Sequence, residues 1–245
     1  MRTPRLYTPN ILEIGQVAEL DDEASNYLGK ALRMRAGDAL RLFNGSGQEF
    51  SADIQEVSRR HVTVIVREAF SPQVESPLSI RLGLGVSKGD RMDIAIQKAC
   101  ELGVSEIHPL TTRYCDVRLD EDRAARRVAH WQKVAISASE QSGRVCVAQI
   151  HPIHPLETWV GSTQSDLKLV AHPGGETPLR ALHTGPHTLS LLIGPEGGLH
   201  DLEVEQAVMH GFHRLALGPR ILRTETAPLV AISLLQHVWG DFSTL

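Results

Sequence analysis

The sequence predicts an α/β fold with a parallel sheet, preceded by a smaller β-rich unit, and three observations carry this. In the C-terminal part, short apolar runs such as residues 189–193 alternate with helical stretches, and such runs are buried on both faces in parallel sheets. Two of the runs stop at glycine-containing loops, Gly194-Pro-Glu-Gly-Gly198 and the segment from Gly218, which makes a ligand cleft at the carboxyl ends of the strands. The N-terminal part instead alternates with period two around Asn44-Gly45-Ser46-Gly47, a strong hairpin signal.

In order along the chain, residues 24–35 read as a helix ended by Ala36-Gly37, residues 41–43 and 49–54 flank the hairpin loop, and residues 61–66 are a β-branched strand. This unit contains Arg2, Arg5, Lys30, Arg33, Arg35 and Arg41, balanced by acids. The residues alone leave open an ordinary solvated face and an RNA-binding patch. Ser71-Pro-Gln-Val-Glu-Ser-Pro77 is the best boundary, dividing the chain into 1–72 and 73–245.

Beyond it come a strand at 80–86, a helix at 90–102 ended by Gly103, a strand at 104–110 and a long helix at 123–142. The glycines of the first strand do not make a dinucleotide loop, because no third glycine opens the next helix. A strand at 168–171 ends at His172-Pro-Gly-Gly175, and the strand at 189–193 runs into the first glycine loop and a helix at 201–210 closed by Gly211. A further apolar run at 215–217 leads to Gly218-Pro-Arg-Ile-Leu-Arg-Thr-Glu-Thr226 and a last helix at 227–239, with Thr226 as N-cap and Pro228 in the first turn. Leu229, Val230, Ile232, Leu234, Leu235 and Val238 leave little of that helix polar, so it is buried on most sides.

Composition bounds function. With 245 residues, 42% of them hydrophobic and 22% charged, the chain is an ordinary globular protein. No apolar run approaches a membrane span and the N-terminus has no signal-peptide core, so a cytoplasmic location is expected. Cys100, Cys115 and Cys146 are too scattered for a disulfide framework or a metal knuckle. A net charge of -4 argues against nucleic-acid binding through bulk charge and leaves only a local patch. His151-Pro-Ile-His154 has ligand-like spacing, but two prolines and no neighbouring acid or cysteine make it a loop, and no metal is expected. Ser190 lies on no nucleophile elbow, and there is no phosphate-loop lysine. Glu196 reads first as a turn residue holding loop amides. Arg223 and Glu225 could form only a surface ion pair, but their place in a cleft loop points to chemistry.

Gly194-Pro-Glu-Gly-Gly198, followed by Leu217-Gly-Pro-Arg-Ile-Leu-Arg-Thr-Glu-Thr-Ala227, resembles the C-terminal motifs of the RsmE family within the SPOUT methyltransferases. Gln97-Lys-Ala-Cys-Glu-Leu-Gly103 and Ser139-Glu-Gln-Ser-Gly-Arg144 resemble further motifs of that family, so the likeness covers nearly the whole chain. One stretch departs from it: where many relatives have Glu-Arg before a small residue, this chain reads Arg113-Tyr114-Cys115.

The resemblance implies a knotted SPOUT methyltransferase domain with a parallel sheet, an N-terminal PUA-like β-barrel that holds RNA, and a homodimer with no membrane association. It implies S-adenosylmethionine-dependent methylation of N3 of a uridine in small-subunit ribosomal RNA, free or in the assembled subunit. The cofactor is then expected against Ala171, His172, Pro173, Gly194, Pro195, Glu196, Gly197, Gly198, Leu217, Gly218, Ile221, Leu222 and Thr226. Arg223, Glu225, Arg144 and Glu140 are the expected catalytic residues, and Arg2, Arg5, Lys30, Arg33 and Arg113 the expected RNA contacts. The alternative is a non-catalytic ribosome-assembly protein that retains the pocket; the intact loop residues favour the enzyme.

Overall fold

The computed structural model describes residues 3–58, 61–115, 120–173, 179, 182 and 185–244. They form two compact units, Met1–Glu75 with Ser139–Val147, and Ser76–Ala138 with Ala148–Leu245.

The first unit is a mixed five-stranded sheet of β1 (Arg5–Tyr7), β2 (Val17–Glu19), β3 (Ala39–Phe43), β4 (Glu49–Val57) and β5 (Val62–Phe70), in the order β1-β3-β4-β5-β2. Only β1 and β3 run parallel among the described pairings. Alternation places Phe50, Ala52 and Ile54 of β4 and Val62, Val64 and Val66 of β5 in one core with Leu28, Leu40 and Leu42. The β3–β4 turn uses Gly45 and Gly47 at φ +82° and +85°, a left-handed conformation that glycine adopts without strain.

The helix expected over 24–35 is shorter and split. Asp21 caps α1 (Asp22–Asn26) by accepting from the Ala24 N–H at 2.8 Å, and a π-turn follows at Tyr27–Ala31. Arg33 then takes φ +55°, which ends any helix. Leu28 is fully buried while Leu32 is exposed, so the apolar spacing that suggested a longer helix is not used for packing.

The second unit is a parallel seven-stranded sheet of β6 (Ser79–Gly85), β7 (Glu106–Thr111), β8 (Gln149–Ile150), β9 (His154–Pro155), β10 (Leu167–Ala171), β11 (Thr188–Ile193) and β12 (His213–Leu215). Its order is β12-β10-β11-β6-β7-β8, with β9 also pairing with β7. Leu189 to Ile193 are buried without alternation, as a central strand covered on both faces requires. Helices α2 (Arg91–Glu101), α3 (Glu121–Ser142), α4 (Leu156–Ser162), α5 (Asp201–Met209) and α6 (Thr226–Trp239) connect or follow these strands. α2 turns Met92, Ala95, Ile96, Ala99 and Cys100 inward, and Gly103 at φ +88° closes it.

Two boundaries differ from expectation. The strand expected at 215–217 lies at His213–Leu215, where the register with its partner β10 ends at Ala171 opposite Leu215. Thr226 is inside α6 rather than its N-cap; Glu225 occupies the cap position and makes no side-chain cap bond. α6 buries Ala231, Ile232 and Leu235, yet Leu234 and Val238 remain 40% and 43% exposed, so one apolar face is uncovered in a single chain. Among the described residues no helix is long and apolar enough to cross a membrane.

Candidate active site at the carboxyl edge of the sheet

Strands β10, β11 and β12 run parallel and end on the same edge of the second unit, and the segments that leave them, with Arg91 of α2, enclose a cavity of about 680 Å³. That is within the usual range for a small-molecule site, roughly 300–1,000 Å³. Of the residues expected at a cofactor, Ala171, His172, Pro173, Gly194, Pro195, Glu196, Gly197, Gly198, Leu217, Gly218, Ile221 and Leu222 line it, together with Arg223 and Glu225. Thr226 does not line it, although its neighbour Ala227 does. Arg91, Ile193, Leu199, Arg220 and Thr224 also line the cavity.

The first glycine loop is held by close backbone packing. A Cβ on Gly85, the last residue of β6, would stand 2.4 Å from Pro195 Cδ and 2.5 Å from its nitrogen. One on Gly194 would meet Gly198 and Leu199 at 2.9–3.0 Å, and one on Gly197 would meet Tyr114 at 2.8 Å. The turn closes through the Gly198 N–H to the Pro195 carbonyl at 2.9 Å, with Gly198 at φ +74°. Glu196 faces the β6–α2 loop, where Oε1 accepts from the Lys88 N–H at 2.9 Å and from Arg91 Nη1 at 3.0 Å. Burial pushes its carboxyl up, but hydrogen bonds from backbone N–H groups, Arg91 and Ser87 outweigh that and hold it below the usual carboxylate range. Two buried hydroxyls join the three loops: Thr224 donates to the Gly194 carbonyl at 3.0 Å and lies 3.2 Å from Ser87 Oγ.

The second loop carries the reactive-looking groups. Gly218 has φ +96°, Ile221 is 86% exposed, and the Arg223 side chain is 81% exposed. Arg223 Nη1 stands 3.9 Å from Glu225 Oε1. The other Glu225 oxygen, Oε2, is buried and has no hydrogen-bond partner among the described residues. A buried carboxylate oxygen left without a donor is costly in a resting protein and points to a partner that arrives with a ligand.

The other predicted residues lie elsewhere. Glu140 and Arg144 belong to the first unit and do not line the cavity. Arg144 donates to Glu75 Oε2 through Nε and Nη2 at 2.9 and 2.8 Å, and Glu140 Oε1 accepts from the Tyr7 N–H at 2.9 Å. Burial, above the opposing effect of that bond and of Arg5, raises the Glu140 carboxyl above its ordinary range. Arg5 is enclosed by Glu49 and the carbonyls of Ser139 and Arg144, and its guanidinium lies 4.0 Å over the Phe43 ring. Lys30 and Arg33 are exposed on the first unit, and Arg113 is exposed on the second, its N–H donating to Glu203 at 2.8 Å. Arg2 lies outside the described residues.

His151 is paired not with His154 but with β7. His108 and His151 stack with centroids 4.0 Å apart and 7° between planes, and each Nε2 is within 3.3 Å of Glu106 Oε2. The two Nε2 atoms and the Glu106 carboxylate thus converge, with one ligand atom of each residue within 4.8 Å of the others, an arrangement that could hold a metal ion. Burial first, then the neighbouring imidazole, pushes the His108 pKa down to about 4 against the pull of Glu106.

Of the sequence signals, the two glycine loops were enough to find the cavity. Ser87, Arg91 and Thr224 were missed, because their importance arises from contacts across as many as 137 positions of sequence.

A parallel sheet with a glycine-lined cavity at its carboxyl edge, joined to a small mixed-sheet unit, is the architecture of an RNA methyltransferase with a PUA domain. The family models agree: residues 74–236 match the RNA methyltransferase domain and residues 20–67 the RNA methyltransferase PUA domain. The chain belongs to the ribosomal RNA small subunit methyltransferase E family. It is 36% identical to that protein of Buchnera aphidicola subsp. Schizaphis graminum, covering 99% of each, and 32% identical to that of Bacillus subtilis, covering 94% of this chain and 93% of the relative. Among solved structures it is similar to a Legionella pneumophila methyltransferase in complex with bound SAM (TM-score 0.94, 41% identity, 98% of this chain and 100% of the other). It is also similar to the Neisseria gonorrhoeae ribosomal RNA small subunit methyltransferase E bound to S-adenosyl methionine (TM-score 0.93, 38% identity, 98% and 100%).

Proposed function

We propose that this protein methylates N3 of a uridine in small-subunit ribosomal RNA, in the cytoplasm, using S-adenosylmethionine held in the cavity at the carboxyl edge of the sheet. In this reading residues 1–72 hold RNA and residues 73–245 form the knotted catalytic domain. The observation that carries it is the cavity itself: glycine backbone from two loops, with Leu217, Ile221 and Leu222 as apolar wall, suits an adenosyl group read by N–H and C=O groups. The bound cofactor supplies the methyl group.

The chain's own residues must make uridine N3 nucleophilic. N3 carries a proton, and the imide becomes a nucleophile only as that proton leaves. Arg223 is charged at all working pH, and its planar donors suit the delocalised imide oxygens, which lowers the barrier to deprotonation. Glu225, whose Oε2 is buried and has no partner among the described residues, accepts the N3 proton or orients Arg223. The rest of the rate comes from holding the nucleophile in line at near-attack distance.

The uncovered face of α6 supports a homodimer. Leu234 and Val238 lie on the helix that follows the second cavity loop, so a partner covering them sits beside the site. Leu234→Asp, which places an unpaired charge in that contact, is expected to yield a folded monomer with little activity; sedimentation of the wild type as an active monomer would overturn the dimer.

The test of the function is transfer of labelled methyl from the cofactor to ribosomal RNA, followed by mass mapping of the modified nucleotide. Label at a position other than uridine N3 sinks the regiochemistry, and cofactor binding without transfer to free RNA or to subunits would favour an assembly role.

A further inference from the structure

Arg91 opens α2 and lines the cavity. Its side chain is 47% exposed and its ion-pair partner Glu196 31% exposed, so the pair contributes little to stability. What the pair does is geometric. Glu196 is itself anchored by the Lys88 N–H at 2.9 Å, and it accepts one N–H of Arg91 through Nη1 at 3.0 Å. Among the described residues the guanidinium spends no other hydrogen bond, which leaves four of its five N–H donors on a rigid helix end at the cavity mouth. Arg220 and Arg223 line the same cavity, so with Arg91 three cations face two carboxylates, Glu196 and Glu225.

We propose that Arg91 binds a phosphate of the substrate RNA backbone beside the target nucleotide, with Glu196 as the residue that orients its guanidinium. This rests on the methyltransferase reading above. A planar fork with one edge pinned to a carboxylate keeps its remaining donors aligned for bidentate contact with a phosphodiester. The cofactor carboxylate is the other anion that enters this cavity. With its side chain 47% exposed, Arg91 is open to a phosphate arriving from solvent, and cofactor affinity measured beside RNA affinity separates the two anions.

The experiment is RNA binding as a function of salt, measured on the full-length wild type, Arg91→Ala and Arg91→Lys, with cofactor affinity measured in parallel by calorimetry. Loss of one phosphate contact flattens the slope of log K against log salt by roughly 0.7–0.9. Arg91→Ala should show that flattening and bind RNA roughly tenfold more weakly at low salt, equally for matched and mismatched sequences. Arg91→Lys keeps the charge, so its slope should stay near wild type while affinity falls about threefold for want of the fork. Cofactor affinity should hold within about twofold in both, since the fork is spent on RNA. An unchanged salt slope in Arg91→Ala overturns the proposal, and so does weakened cofactor binding with RNA binding intact, which would give the arginine to the cofactor carboxylate. Because the readout is binding, a wild type that failed to methylate would count against the methyltransferase reading and leave the test of Arg91 standing.

Discussion

The two loops that enclose the cavity are built on opposite principles. The loop at Gly194 to Leu199 is packed so tightly that a methyl group on Gly85 or Gly194 would meet backbone atoms at 2.5–3.0 Å, and its acid is bound to the β6–α2 loop. The segment from Leu217 to Arg223 presents Ile221 and Arg223 almost entirely to solvent, and nothing lies within 4 Å of a Cβ placed on Gly218. Its anchor is Thr224, whose hydroxyl reaches back to the Gly194 carbonyl. One wall is therefore preorganised, while the other, among the described residues, has few contacts that would fix it before a ligand covers its apolar and charged side chains. Preorganisation suits binding, and exposed groups suit contact with a macromolecular substrate.

The sharpest way to break this contrast is Gly85→Ala. The added methyl meets Pro195 and the Gly194 carbonyl carbon, both parts of a constrained turn, so the first loop must shift. A displacement near 1 Å in a positioned site costs on the order of a hundredfold, and calorimetry should show cofactor affinity falling by about that much in a folded protein. Ile221→Ala in the second loop should change stability by less than about 0.5 kcal/mol and cofactor affinity only a few-fold. If the two variants cost the same, the distinction between the loops is wrong.

Next in size is Arg223→Ala. Removing a charge-stabilising donor costs roughly a hundredfold or more in turnover, while cofactor affinity should stay nearly intact because the guanidinium acts on RNA. The variant should recover part of its rate at alkaline pH, where the imide loses its proton unaided. Full activity would be fatal to this role, and a loss confined to cofactor binding would make Arg223 a wall of the pocket.

How far the sequence reveals this design differs between the same two regions. The glycines at 194 and 197 announce a close approach, but only the contact of Gly194 with Gly198 and Leu199 is local: Pro195 packs on Gly85 and Gly197 on Tyr114, residues far away in sequence. Helix and strand periods place the parallel sheet because burial on both faces leaves long apolar runs. Ends are less legible, since β12 stops where its partner stops and the N-terminal helix breaks at Arg33 with φ +55°, neither of which composition encodes. Glu140 and Arg144 show a related limit. They are expected from the family-like stretch Ser139–Arg144, and in a single chain both make hydrogen bonds within the first unit, contacts that the motif itself does not announce.

The smallest expected effect tests what holds the first loop in place. Glu196→Gln keeps a carbonyl oxygen for the Lys88 N–H and loses only the charge opposite Arg91. If packing around Gly85 fixes the loop, the variant should bind cofactor within a few-fold of wild type and lose less than about 1 kcal/mol, the usual ceiling for a solvent-screened pair. The pH dependence gives a second reading. The folded carboxyl titrates below its ordinary value of 4.5, so its stabilising contribution is fully present above that value and is lost as pH falls through the lower folded value. Melting curves of wild type and Glu196→Gln should therefore keep a constant small offset above pH 4.5 and converge below it. An offset that survives in strong acid would mean that the side chain acts by shape, and a loss of cofactor binding as large as that of Gly85→Ala would mean that charge, not close packing, sets the loop.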